Sequence, residues 1–147
     1  MKAMKCLILV CGLAGMTMLG IVATAKATGY GRQYYSSYSY YPARSYYYSY
    51  YYYKPYPTYA SYDYHYCIYY PSYPRYTYYY NPYKKVYWGR YDHEAKGYSL
   101  LAEADRKGTI KEIAEEKFPK PAGMPQIPES EDKIVMEQPP APPKTTN

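Results

Sequence analysis

The side chains of this chain that could do chemistry are overwhelmingly phenols. All 29 tyrosines lie between Tyr30 and Tyr98, against one Phe and one Trp in the whole 147-residue sequence. A phenol is uncharged near neutral pH, with a pKa of about 10. It stacks, and it donates hydrogen bonds to sugars and to other phenols. At high local density phenols also couple through radicals where an oxidase is present. The densest run, Tyr46, Tyr47, Tyr48, Tyr50, Tyr51, Tyr52 and Tyr53, carries no charge and has high β propensity. Such a segment is prone to self-associate, and these seven residues are the candidates for self-association or cross-linking.

Three other groupings bear weighing. Asp63, His65 and Cys67 alternate with Tyr62, Tyr64, Tyr66 and Ile68, a period-2 pattern that predicts a strand with the three polar residues on one face. Imidazole, thiolate and carboxylate are all metal ligands. The plainer reading is an exposed polar strand face, because His93 is the only other histidine and no second His/Cys pair completes four ligands. No metal or cofactor is therefore expected. Asp92-His93-Glu94 could suggest acid–base catalysis, but a polar turn is the commoner origin of such a triplet. No glycine-flanked serine accompanies it: Ser99 runs into Leu100 and Leu101. No catalytic residue is assigned and no enzyme is expected. Trp88, the single tryptophan, reads as the anchor of a small aromatic cluster. With Tyr87 and Tyr91 it is alternatively a candidate platform for a polysaccharide or a protein partner.

The elements that must position these residues divide the chain into four parts. Residues 1–27 read as a secretory signal helix: Lys2 and Lys5, an uncharged stretch from Cys6 to Ala25, then small residues suited to cleavage after Ala25 or Ala27. A retained membrane anchor is the alternative, and a membrane is a partner only in that case. Beyond the leader Cys67 is the single cysteine, so no intrachain disulfide framework is expected. Residues 28–75 are a tyrosine-rich low-complexity region, punctuated by Pro55, Pro57, Pro71 and Pro74. With little aliphatic surface to offset chain entropy, it is expected to be disordered as a monomer. Residues 76–118 could form a small α+β module. Alternating Tyr76, Tyr78 and Tyr80, a turn at Asn81-Pro82-Tyr83-Lys84 and a run to Tyr91 predict a β-hairpin. Tyr98 to Leu101 suggests a further strand, the alternative being a short helix capped by Ser99 and ended by Gly108. A capping box at Thr109 and Glu112 predicts one short helix over Ile110 to Lys117. Residues 119–147 are proline-rich and acidic and read as a disordered tail. The fold class expected is thus a mostly disordered low-complexity chain with a signal helix and a hairpin-plus-helix module.

Charge narrows the partners. The net +6 divides into +3 for residues 1–29, +5 for residues 30–98 and −2 for the remainder. Without the leader the chain is only mildly basic, and export would remove it from nucleic acid, so no nucleic-acid partner is expected.

The order of several short motifs resembles the C-terminal half of small tyrosine-rich exported proteins of planctomycete bacteria. These motifs are Val86-Tyr87-Trp88-Gly89-Arg90-Tyr91-Asp92, Tyr98-Ser99-Leu100-Leu101, Asp105-Arg106-Lys107, Phe118-Pro119 and Met124-Pro125-Gln126-Ile127-Pro128. That resemblance implies export and a recurrent small module, and no activity. The tyrosine zone is similar in composition to eggshell, cuticle and mussel adhesive proteins, a likeness that implies tyrosine oxidation and cross-linking. The expectation is an exported structural protein, associated with the cell envelope or matrix, that self-associates or cross-links through tyrosines. The alternative is a small extracellular binding module built on the Trp88 hairpin, with the tyrosine-rich region as a contact arm.

Overall fold

The computed structural model describes residues 31–144. They fold as a seven-stranded, wholly antiparallel sheet curled into a half-barrel, with no α-helix among the described residues. The strands are β1 (Gln33–Tyr35), β2 (Ser39–Tyr41), β3 (Tyr46–Tyr53), β4 (Asp63–Tyr69), β5 (Tyr76–Asn81), β6 (Val86–Asp92) and β7 (Gly97–Leu100). From β3 to β7 the chain is a simple meander, each strand pairing with the next. The short β1 and β2 both lie along the outer edge of β3, one at each end of it.

The pleat sends alternate side chains to opposite faces. Register sets the two faces: Ser49 pairs with Cys67, Cys67 with Tyr79 and Tyr79 with Gly89, while Tyr50 pairs with Tyr66 and Tyr66 with Tyr80. On the first face Tyr51, Tyr53, Cys67, Tyr79, Tyr91 and Tyr98 form a buried cluster with Ile127 and Met136. On the second, Ile68 and Tyr87 pack with Leu101, Ile113 and Phe118. Each face therefore borrows its aliphatic cover from sequence far downstream: residues 119–137 on the first, residues 101–118 on the second.

This arrangement overturns the expectation of a mostly disordered chain. The tyrosine-rich region supplies β1 to β4, and the hairpin of β5 and β6 sits within the larger sheet instead of in a separate α+β module. The physical reason is that a tyrosine core is workable where hydroxyls find partners, although Tyr98 Oη is buried without one. Tyr51 Oη donates to Gln33 Oε1 at 2.7 Å. Tyr79 and Tyr35 share a hydroxyl contact of 2.9 Å, and Tyr35 Oη donates to the Glu137 carbonyl at 2.8 Å.

The expected helix over Ile110 to Lys117 is also absent. Two 3-10 turns, Ile110–Glu112 and Glu115–Lys117, take its place, with extended backbone at Ile113 and no side-chain cap from Thr109. Arg90 is the cause. Its buried guanidinium lies 3.8 Å from the Tyr76 ring centroid and 4.0 Å from that of Phe118, and it forks onto the Glu115 carboxylate, with Nη1–Oε2 at 2.8 Å. Fixing Glu115 and Phe118 to one strand residue outweighs a weak local helix preference.

The acidic tail is ordered for a similar reason. Ala122 exchanges backbone hydrogen bonds with Tyr98 at the β7 edge. Gln33 Nε2 donates to the Val135 carbonyl at the opposite edge, and Arg32 pairs with Asp132. The tail thus straps the half-barrel from edge to edge. The leader, with both candidate cleavage sites, lies outside the described residues. Within them no helix is long and apolar enough to cross a membrane.

Candidate functional site

The candidate cross-linking run falls on β3, and the pleat divides it. Tyr51 and Tyr53 are buried on the strapped face, and Tyr47 points the same way. Tyr46, Tyr48, Tyr50 and Tyr52 point to the other face, half-buried, as a ladder whose successive ring centroids are 6.5, 5.9 and 5.6 Å apart. The ladder continues sideways. Tyr50 meets Tyr66 at 5.1 Å, Tyr52 meets Tyr64 at 5.9 Å, and Tyr46 meets Tyr70 at 5.5 Å. Offset and edge-to-face pairs at these spacings are the favoured aromatic geometries.

Where segment 101–118 stops short, this face opens into a groove of about 470 Å³. Tyr46, Tyr48, Tyr50, Tyr66 and Tyr80 line it, with the Arg44 side chain at the rim. Arg44 belongs to the 3-10 turn Pro42–Arg44, and Ser45 at φ 51° then redirects the chain into β3. The groove thus offers phenol rings, their hydroxyls and one guanidinium. Burial raises the Tyr46 and Tyr50 hydroxyls above their ordinary pKa, so these two phenols are uncharged at physiological pH.

Trp88, Tyr87 and Tyr91 are not brought together. A bulge after Tyr79 places Trp88 out of step in β6, and its indole packs on the strapped side against His65 at 5.3 Å and Tyr98 at 5.8 Å. Gly89 makes this possible: a Cβ there would lie 2.5 Å from the Tyr98 ring and 2.5 Å from the Ser99 carbonyl oxygen. Tyr87 is buried on the opposite face, and Tyr91 on the same face as Tyr98. Trp88 therefore anchors a core.

Asp63, His65 and Cys67 do share one face, as their spacing predicts, but that face is interior at His65 and Cys67. Asp63 accepts a hydrogen bond from Tyr59 Oη at 3.2 Å. Burial pushes the Cys67 thiol pKa up, which keeps it protonated and unreactive. Burial, with lesser contributions from Arg106 and Lys84, lowers His65 to about 3, so the imidazole is neutral. Its Nε2 lies 3.5 Å from Tyr53 Oη, and Nδ1 has no partner. Among the described residues no three His, Cys, Asp or Glu side chains are placed to hold a metal ion.

Asp92 serves the turn after β6. Its Oδ1 accepts the N–H groups of Glu94 and Ala95 at 2.9 and 3.0 Å, and Oδ2 accepts Arg75 Nη2 at 2.8 Å. Burial opposes its ionisation, but these donors outweigh burial and hold the carboxyl below its usual range. His93 Nε2 and Thr77 Oγ1 are 2.7 Å apart.

No protein-family model, curated protein or solved structure matches this chain.

Proposed function

We propose that the chain is an exported structural protein of the cell envelope or extracellular matrix that associates with copies of itself through its tyrosine face. The observation that supports this reading most is the division of the β3 run. One alternate set of phenols is spent on the core, and the other is held in register on a face that segment 101–118 covers only in part. Export rests on the character of residues 1–27.

Sedimentation equilibrium over a micromolar concentration series tests the association. Replacing Tyr48, Tyr50 and Tyr66 by Ser removes three rings from the face and none of the fully buried ones. At about 0.5–1.5 kcal/mol per aromatic pair, the triple variant is expected to associate at least about tenfold more weakly. A wild-type chain that stays monomeric across the series would end this reading.

The groove favours a second reading, binding of a matrix polysaccharide. Its size and its mixture of ring faces with one guanidinium suit a sugar unit. The binding surface of that reading is the groove rather than the Trp88 hairpin. Retardation on immobilised polysaccharide, lost in the same triple variant, would identify it.

A further inference from the structure

Among the described residues six tyrosines are exposed, between 42% and 68%, and they are not spread evenly. Tyr56 lies in the connection from β3 to β4, Tyr83 in the turn from β5 to β6, and Tyr34 stands opposite Tyr52 near the C-terminal end of β3. In an antiparallel meander these positions share one end of the sheet. Tyr40 and Tyr41 stand opposite Tyr47 and Tyr46 at the start of β3, and Tyr73 lies in the connection from β4 to β5. Those three share the opposite end. At ~3.3 Å per residue, the eight-residue β3 sets the two ends roughly 25 Å apart.

We propose that these six phenols form two poles through which oxidised copies of the chain are covalently joined end to end, with the β3 ladder remaining unlinked. This inference rests on the self-association reading and assigns its cross-linking residues. Coupling between two molecules needs ring carbons ortho to the hydroxyls to touch. Tyr51, Tyr53, Tyr79 and Tyr98 are shut inside the core, and Tyr48, Tyr50 and Tyr66 are half-buried. The six are set apart by exposure, although Tyr34, Tyr40, Tyr41, Tyr56 and Tyr83 each also touch at least one neighbouring ring. Tyr56, Tyr73 and Tyr83 project from connections. No aromatic contact among the described residues joins two of the six. A molecule with reactive phenols at both ends extends a chain, whereas one pole carrying a single phenol stops at a dimer.

The chemistry needs a one-electron oxidant, here a peroxidase with hydrogen peroxide. Each phenol gives one electron to the enzyme and its proton to solvent. Two phenoxyl radicals join through a carbon–carbon bond between ortho positions. Each joined carbon then loses its hydrogen as a proton while the oxygen regains one. Per link, two phenols lose two protons and two electrons, and one peroxide becomes two waters.

The test oxidises the full chain with peroxidase and peroxide, follows dityrosine fluorescence and the gel ladder, and maps links by mass spectrometry. Every variant carries Tyr30→Phe, since Tyr30 lies outside the described residues. One variant keeps only Tyr73 and Tyr83 of the six, one keeps only Tyr73, and one replaces all six by Phe. Circular dichroism checks that each remains folded. The expected results are a ladder for the first, dimers only for the second, and loss of all oligomers for the third. Links that form between copies but map to Tyr46, Tyr48, Tyr50 or Tyr52 would overturn the poles and leave tyrosine cross-linking standing, as would a six-Phe variant that still gives a ladder. Dityrosine confined to single molecules, for instance between the stacked Tyr34 and Tyr52, would overturn the end-to-end joint. Absence of any dityrosine would overturn the covalent step altogether, and sedimentation of the unoxidised chain would then decide self-association separately.

Discussion

His65 shows how the sheet responds to acid. The folded state holds its pKa at about 3, whereas an unfolded histidine titrates near 6.5. Below about pH 6.5 the unfolded chain therefore takes up a proton that the folded chain refuses, and stability falls as pH falls. Between about pH 6 and pH 4 this one residue should contribute a slope of about 1.4 kcal/mol per pH unit. His93, also lowered by burial, adds to it in the same direction. Urea unfolding of wild type and His65→Gln at several pH values measures the difference. The variant is expected to lose about 1.4 kcal/mol per unit of slope whatever its absolute stability, and equal slopes would refute the assignment. The position of His65 on a shared face with Cys67 was legible from the period-2 spacing. Its burial was not, because that depends on Trp88 arriving from β6 and on the strap lying over the sheet.

The two turns flanking β6 are built alike. Asn81 Oδ1 accepts the N–H groups of Tyr83 and Lys84, as Asp92 Oδ1 accepts those of Glu94 and Ala95. Four residues after each, Lys85 and Lys96 hold φ of 55° and 56°, a left-handed conformation that a side chain resists. Both lysines are exposed. Replacing either by Gly removes that cost while adding some unfolded-state entropy, so each variant should gain about 0.5–1 kcal/mol. The midpoint of urea unfolding measures this, and a lowered midpoint would mean that the lysine side chain makes a contribution larger than the strain. The first turn was readable because Asn and Pro carry its chemistry locally. The prolines that punctuate the tyrosine zone likewise fall in connections, at Pro55, Pro57, Pro71, Pro74 and Pro82. The segment over Ile110 to Lys117 was misread because its helical spacing is real, yet Arg90, some 20 residues upstream, dictates which of its side chains face the sheet.

At the scale of the whole molecule, the strap is what closes the half-barrel. Ile127 and Met136 are each almost fully buried, worth about 1.5–3 kcal/mol apiece. The hydrogen bonds that Gln33 makes to Val135 and Glu137, and the pairing of Arg32 with Asp132, add to that. The total is comparable with the stability of many small domains, about 5–15 kcal/mol. Deleting residues 119–147 should therefore abolish cooperative thermal unfolding and raise binding of an apolar dye to the uncovered cluster around Tyr51, Tyr79 and Tyr98. A truncated chain with an unchanged melting transition would show that the sheet stands without its strap. Acid should loosen the same contact: Asp132, held well below the usual carboxylate range by Arg32, contributes stability that is present above an ordinary carboxylate pKa and lost as pH falls towards its folded value.

By itself the sequence determined the local alternation, the turns and the prolines between strands, because these depend on neighbours within a few residues. It also determined that phenols would be the chemistry of the surface, since 29 tyrosines cannot all be hidden in so small a chain. Only the tertiary structure decided which phenols are core and which are surface. That choice follows from strand register and from two covering segments, 101–118 and 119–137, whose few aliphatic side chains and backbone carbonyls complete the faces of a sheet that has almost none of its own. Counting apolar residues within the tyrosine zone alone omits those partners, which explains why a folded half-barrel reads locally as a disordered chain.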